Sequence, residues 1–232
     1  MIKSKNLYFK YEDNFVLKNI NLYIEEGSFT AIIGANGSGK TTLAKHFNAL
    51  LLPAKGDVLV DGINTKHDEL NARKKVGFVF QNFEDQLIHS IVEEDIAFGL
   101  ENLGLEKNEI IGIANKTLDK LKIIHLTKNN VNMLSQGQKQ LVALAGVLAM
   151  KPKCIVFDEP TTMLDVRNKN NILDIINNLN KKDDMTIILV TNVLDDVKYA
   201  ENVIVLKNGT IIFNGEKSRL NSKILKGAGL SD

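Results

Sequence analysis

The octapeptide GANGSGKT, Gly34 to Thr41, constrains this chain more than any other stretch. It fits the pattern G-x-x-x-x-G-K-[ST] and lies between an apolar run, FTAII, and a helix-forming stretch that opens after Gly39. In that setting glycines let successive backbone N–H groups curl around a phosphate, and a helix N-terminus adds a favourable dipole. Lys40 can then reach β- and γ-phosphate oxygens, and the Thr41 hydroxyl can ligate Mg²⁺. A chance glycine-rich turn would carry the same letters, but nothing would place it between a strand and a helix.

The segments around this loop alternate in type. Strands are expected near Leu7 to Tyr11, Val16 to Ile24 and Phe29 to Gly34, then in GDVLVDG and KVGFVF, with a helix from Gly39 to about Leu51, stopped before Pro53. From Asp85 to about Met150 the apolar spacing turns helical, in VEEDIAFGLENLG, EIIGIANKTLDKL and SQGQKQLVALAGVLAM. Two buried strands follow, CIVF and TIILV, separated by the helix VRNKNNILDIINNL, then a polar turn and helix after Val190, and a last hairpin, NVIVLKNGTIIFNGE. Strands alternating with helices imply a parallel sheet covered on both faces. No repeat and no Pro/Gly/Ser-rich linker divides the chain, which reads as one compact unit with an inserted helical region.

CIVFDEPT ends an apolar strand in two carboxylates, Asp158 and Glu159, at the edge where parallel sheets bind ligands. Asp158 is placed to hold Mg²⁺ through water, and Glu159 to polarise an attacking water. NMLSQGQKQL opens a helix whose Ser135, Gly137 and free N–H groups can bind an anion; a serine N-cap on a core helix explains the same residues.

Composition removes other classes. The 232 residues carry a net charge of +1, which argues against a surface dominated by nucleic-acid backbone. No apolar run approaches the roughly 20 residues that cross a bilayer, and the N-terminal MIKSKNLYFKY lacks a signal-peptide core, so a cytoplasmic chain is expected unless a partner holds it at a membrane. The single cysteine, Cys154, reads as a small core residue, and His46, His67, His89 and His125 have no metal-ligand spacing.

Taken together these motifs resemble the ATP-binding-cassette ATPases over essentially the whole length. In order stand an aromatic A-loop near Tyr11, the Walker A loop Gly34 to Thr41, a Q-loop glutamine at Gln81, the signature LSQGQ at Leu134 to Gln138, Walker B ending in Asp158 and Glu159, and a D-loop with Asp165. NALLLPAKGDVLVDG, VGFVFQNFEDQLIHSIVEEDIAFGLENLG and GQKQLVALAGVLAMKPKCIVFDEPT are similar to the ATPase subunits of energy-coupling-factor and cobalt importers. The resemblance implies an α/β P-loop NTPase with a RecA-like parallel-sheet core, an N-terminal antiparallel β subdomain and an inserted α-helical subdomain. Residues 1–232 would form one nucleotide-binding domain, its helical subdomain at about 85–150.

It also implies roles. ATP and Mg²⁺ would be held by Tyr11, Asn36, Gly37, Ser38, Gly39, Lys40, Thr41 and Thr42 of one subunit and by Ser135, Gly137 and Gln138 of another, in a head-to-tail dimer. Tyr11 would stack on adenine, although an aromatic paired across a hairpin, beside Tyr8 and Phe9, reads the same way. Thr41, Gln81 and Asp158 would serve the metal, Glu159, Gln81 and Asn192 the chemistry, and Asn82 to Glu94 would touch a membrane subunit.

Three positions depart from the family pattern. Asn192 stands where a histidine is usual, and no histidine follows His125; its amide can donate a hydrogen bond but is shorter and cannot become cationic. Gln136 replaces the first glycine of the signature and would be strained if the backbone needed positive φ. Leu141 stands where related importers carry an arginine, and the sequence ends at Asp232, where such ATPases often continue into a dimerising extension. The expectation is therefore an ATP-hydrolysing subunit of an energy-coupling-factor type importer of a vitamin or metal ion, on the cytoplasmic face of the cell membrane, paired with a second ATPase in a heterodimer, or else a homodimer, and with a transmembrane coupling subunit and a substrate-binding membrane subunit. The alternative is a non-catalytic ATP-binding partner in an asymmetric heterodimer; nucleic acid is not an expected partner.

Overall fold

The structure is a computed structural model and describes residues 1–230. Its residues group into two units. The first comprises residues 1–78, 153–159 and 176–230, and the second residues 79–152 and 160–175.

The first unit opens with long antiparallel strands, β1 (Ile2–Tyr11) and β2 (Asn14–Ile24), followed by β3 (Phe29–Ile33) and helix α1 (Lys40–Phe47). β4 (Lys55–Val60) and the two-residue β5 (Ile63–Asn64) complete a four-stranded antiparallel sheet in the order β2-β1-β4-β5. A short helix, α2 (Glu69–Lys75), leads into β6 (Val76–Val79). The helical segment expected from Asp85 to about Met150 forms, in the second unit, α3 (Val92–Asn102), α4 (Lys107–Lys120) and α5 (Gln136–Ala149).

The chain then returns through β7 (Cys154–Asp158), α6 (Val166–Asp183) and β8 (Thr186–Thr191), and closes with the hairpin β9 (Asn202–Lys207) and β10 (Thr210–Glu216) and helix α7 (Ser222–Gly227). The second sheet has the order β10-β9-β3-β8-β7-β6, with β9, β3, β8 and β7 mutually parallel. Every residue of β3, β7 and β8 is buried, the continuous apolar pattern that strands covered on both faces require. Cys154 is one of these core residues, and burial pushes its thiol far above its ordinary value. β10 alternates exposed and half-buried residues, as an edge strand does.

The α/β class with an antiparallel N-terminal sheet, a parallel core and a helical insertion is thus the observed architecture. Two local expectations need correction. α1 stops at Phe47 rather than near Leu51, because the Asn48 side chain accepts the Leu50 N–H at 3.2 Å and Ala49 turns left-handed, φ 56°. The polar segment after β8 forms a 3₁₀ turn, Leu194–Tyr199, instead of an α-helix. β5 and α7 are too short to leave a periodic signal.

Candidate active site

The register of three adjacent strands assembles the site in the first unit. Ile33 of β3 pairs with Thr191 of β8, and Asp158 of β7 pairs with Val190, so the carboxyl ends of these strands lie side by side. Gly34, Asn192 and Glu159 are the residues that leave those ends, an arrangement that collects ligand-binding groups at one edge of a parallel sheet.

Glycine is required in the loop at its first position. A Cβ on Gly34 would fall 2.3 Å from the Leu206 carbonyl oxygen and 2.8 Å from Ser38 Oγ. Gly37 and Gly39 take φ values of 75° and 102°, which side-chain-bearing residues rarely adopt, and a Cβ on Gly37 would meet open space. Ser38 is buried with no hydrogen-bond partner for its hydroxyl, and Asn36 and Gly37 are exposed. Lys40 is buried along the loop, its Nζ donating to the Gly34 and Ala35 carbonyls at 2.9 and 3.2 Å and lying 3.9 Å from Glu159 Oε1. Burial lowers its pKa, while Glu159 and Asp158 act in the opposite sense.

Thr41 follows on the first turn of α1 and donates from Oγ1 to Asp158 Oδ1 at 2.9 Å, with Thr42 half-buried beside it. Asp158 is itself only 3% exposed. Burial raises its pKa; the Thr41 hydroxyl, Lys45 and Lys40 oppose the shift, and Glu159 reinforces it. Glu159 turns sharply out of the strand with φ 48°, its N–H donating to the Val190 carbonyl at 2.8 Å, which aims its carboxylate at Lys40. A non-glycine residue in that conformation stores strain.

Asn192 leaves β8 over a small polar knot, in which Thr191 Oγ1 accepts the Val193 N–H and donates to Asp196 Oδ2, each at 3.0 Å. Its side chain reaches the loop: Nδ2 donates to Asn36 Oδ1 at 2.8 Å. Tyr11 ends β1 and is about half exposed. The structure therefore brings together the loop residues Asn36 to Thr42 with Asp158, Glu159 and Asn192.

These residues fit Mg²⁺ and a triphosphate. Thr41 and Asp158 present adjoining hard oxygen donors of the kind Mg²⁺ takes, and the glycine loop, the unpartnered Ser38 hydroxyl and the Lys40 ammonium suit phosphate oxygens.

Gln81, Ser135, Gly137 and Gln138 belong to the second unit. Gln81 is exposed just after β6. Ser135 caps α5 in a reciprocal box, accepting the Gln138 N–H at 3.4 Å while Gln138 Oε1 accepts the Ser135 N–H at 3.0 Å. Gln136 is the first residue of α5 and does not take positive φ, so the strain considered for it does not arise. A Cβ on Gly137 would lie 3.2 Å from the Asn168 side chain, and Asn168 is held by Asp165, with backbone and side-chain hydrogen bonds of 2.9 and 2.7 Å. Sequence reasoning missed Asn168; the D-x-x-N spacing opening a helix was the available signal. Leu141 lines a cavity of 90 Å³ beside these residues.

Residues 17–162 match the family ABC transporter. The chain is 42% identical to the energy-coupling factor transporter ATP-binding protein EcfA1 of Clostridium novyi over 99% of its own length and 85% of the relative's. It is 44% identical to EcfA1 of Caldanaerobacter subterraneus, with 99% and 86% covered. The solved structure of cbiO1 from Clostridium perfringens, described as part of the ABC transporter complex cbiONQ, superposes with a TM-score of 0.87 at 35% identity, covering 99% of this chain and 94% of that one. The ATP-binding cassette MJ0796, solved as a dimer in a post-hydrolysis state with ADP and Pi, gives 0.82 at 32% identity, covering 93% and 98%. With a phosphate-binding loop, a buried aspartate and a strained glutamate assembled on such a sheet, the chain belongs to the ABC transporter family of ATP-hydrolysing cassettes, in company with the energy-coupling factor ATP-binding proteins.

Proposed function

We propose that this chain is the ATP-binding and ATP-hydrolysing subunit of an energy-coupling-factor type importer, lying on the cytoplasmic face of the membrane and powering uptake of a vitamin or metal ion. Residues 1–232 act as one nucleotide-binding cassette whose helical part spans about 85–150. Among the described residues no helix is long and apolar enough to cross a membrane, so the translocation path belongs to partner subunits. The observation that carries the reading is the convergence of Lys40, Thr41, Asp158 and Glu159 at one sheet edge, in a chain 42 to 44% identical to EcfA1 proteins.

Each group then has a task. Tyr11 stacks on adenine. Backbone N–H groups of Asn36 to Thr42 and the Ser38 hydroxyl bind phosphate oxygens, and Lys40 neutralises charge on the β- and γ-phosphates. Thr41 and Asp158, with help from Gln81, would hold Mg²⁺, which when bound would supply positive charge to the transferring phosphoryl group. Glu159 accepts the proton of the attacking water while Asn192 donates to the γ-phosphate. Ser135, Gly137 and Gln138 of a second ATPase subunit close over the nucleotide, and that closure drives the coupling and substrate-binding membrane subunits. The test is Glu159→Gln in the chain purified with its partners: steady-state ATPase activity should fall at least about a hundredfold. Unchanged turnover would remove this site from the mechanism.

The bond from Asn192 to Asn36 favours a second reading. An amide engaged by the loop is a poor substitute for a histidine that reaches the γ-phosphate, as in a chain that binds ATP to lock an asymmetric heterodimer while its partner hydrolyses. Single-turnover hydrolysis confined to the partner's site would support it.

A further inference from the structure

Three rings connect the exposed tip of β1 to the interior of α1. Phe9 and Tyr11 meet edge to face, centroids 4.9 Å apart and planes at 88°, and Phe9 meets His46 in the same manner at 4.7 Å and 77°. Exposure falls steadily along the stack, from half-exposed Tyr11 through half-buried Phe9 to fully buried His46. Tyr8 takes no part, because it pairs with Phe15 instead. Among the aromatic residues of YFKY, only Phe9 and Tyr11, two positions apart on the strand, join this stack.

The buried end of the stack is fastened to the phosphate-binding element. His46 lies on α1, and its Nδ1 donates to the Thr42 carbonyl at 2.7 Å, one turn back toward the loop. The acceptor is a carbonyl, so Nδ1 carries the proton, and Nε2 has no hydrogen-bond partner. Burying an imidazole with one nitrogen unsatisfied costs free energy that a leucine would not. What the imidazole adds is a ring whose orientation is set by a hydrogen bond to the helix that carries Lys40 and Thr41.

We infer that Phe9 and His46 are positioning residues for the adenine platform, holding the Tyr11 ring at a set height and tilt relative to the phosphate-binding loop. The inference rests on the reading of Tyr11 as the stacking residue. An exposed tyrosine loses side-chain freedom when a base stacks on it, and a ring already braced from below loses less. The strut therefore acts on ligands that carry a base and is indifferent to those that carry only phosphates.

The experiment compares Mg-ADP with Mg-tripolyphosphate, titrated calorimetrically into the full chain and its Tyr11→Ala, Phe9→Leu and His46→Leu variants. Phe9→Leu and His46→Leu should weaken ADP about three- to tenfold, leave tripolyphosphate within about twofold, and add nothing further to the loss in a Tyr11→Ala background. The half-buried position of Phe9 keeps the test available should His46→Leu not fold. The inference is overturned if Tyr11→Ala lowers the ratio of ADP to tripolyphosphate affinity and the two leucine variants do not. Equal weakening of both ligands, or a full additional loss in the Tyr11→Ala background, also overturns it. A Tyr11→Ala variant with an unchanged ratio sinks the stacking reading itself, and the strut with it.

Discussion

The side chain of Asn192 donates to Asn36 Oδ1 across 2.8 Å, joining the end of β8 to the tip of the phosphate-binding loop. Both residues come from separate stretches of sequence, and their meeting follows from the parallel pairing of β3 with β8. The Asn192 amide is thus engaged by the loop that follows β3.

Asn192→His should raise steady-state turnover of the assembled complex by about a hundredfold or more, since a well-placed transition-state donor is worth about 2.7 to 4 kcal/mol. Phosphate-release kinetics at saturating ATP measure it. Equal rates would mean that the asparagine already suffices.

Asp158→Asn should separate stability from activity. Burial raises the Asp158 pKa above its unfolded value, so the ionised carboxylate costs the folded state stability at neutral pH. Calorimetry of the nucleotide-free variant is expected to show a midpoint a few degrees higher, each kcal/mol in a chain of this size being worth about 2 to 4 °C. ATPase activity in the complex should be lost.

Acid should destabilise the protein through His46, which is fully buried and whose pKa burial lowers to about 4, partly offset by the nearby Thr42 and Leu52 backbone. Above pH 6.5 the ring is neutral folded and unfolded; between there and about pH 4 only the unfolded chain takes the proton, so stability falls as pH falls. The slope approaches about 1 kcal/mol per pH unit and amounts to on the order of 3 kcal/mol by pH 4. Denaturant titrations of wild type and His46→Leu at pH 7, 6 and 5 should show a shallower decline for the variant.

Two glycine substitutions should differ sharply. Gly34→Ala places a Cβ 2.3 Å from a backbone carbonyl and should prevent stable folding. Gly37→Ala meets open space at φ 75° and should cost only about 1 to 2 kcal/mol. Thermal melts of the nucleotide-free proteins distinguish the two.

Gly137→Ala should lower turnover of the complex about tenfold by pressing on Asn168, 3.2 Å from the added methyl, and Asn168→Ala should restore most of it. Absence of rescue would mean that the methyl acts elsewhere.

Much of this was decided locally. The spacing in GANGSGKT, the apolar run before Asp158 and Glu159, and the Ser135–Gln138 capping box are short-range patterns, and each forms the loop, strand end or helix start that its letters specify. The α/β class follows from the same alternation of periods. Tertiary structure decided what distant segments do to one another. The strand order β3-β8-β7 brings Lys40 to Glu159, Thr41 to Asp158 and Asn192 to Asn36, although 117 to 156 residues separate the hydrogen-bonded pairs. The burial of His46 beneath Phe9 and the closeness of Asn168 to Gly137 likewise depend on how separate segments pack. Side-chain contacts across sheets and helices depend on register and packing, and a linear pattern encodes which face a residue occupies but not which residue it will meet there.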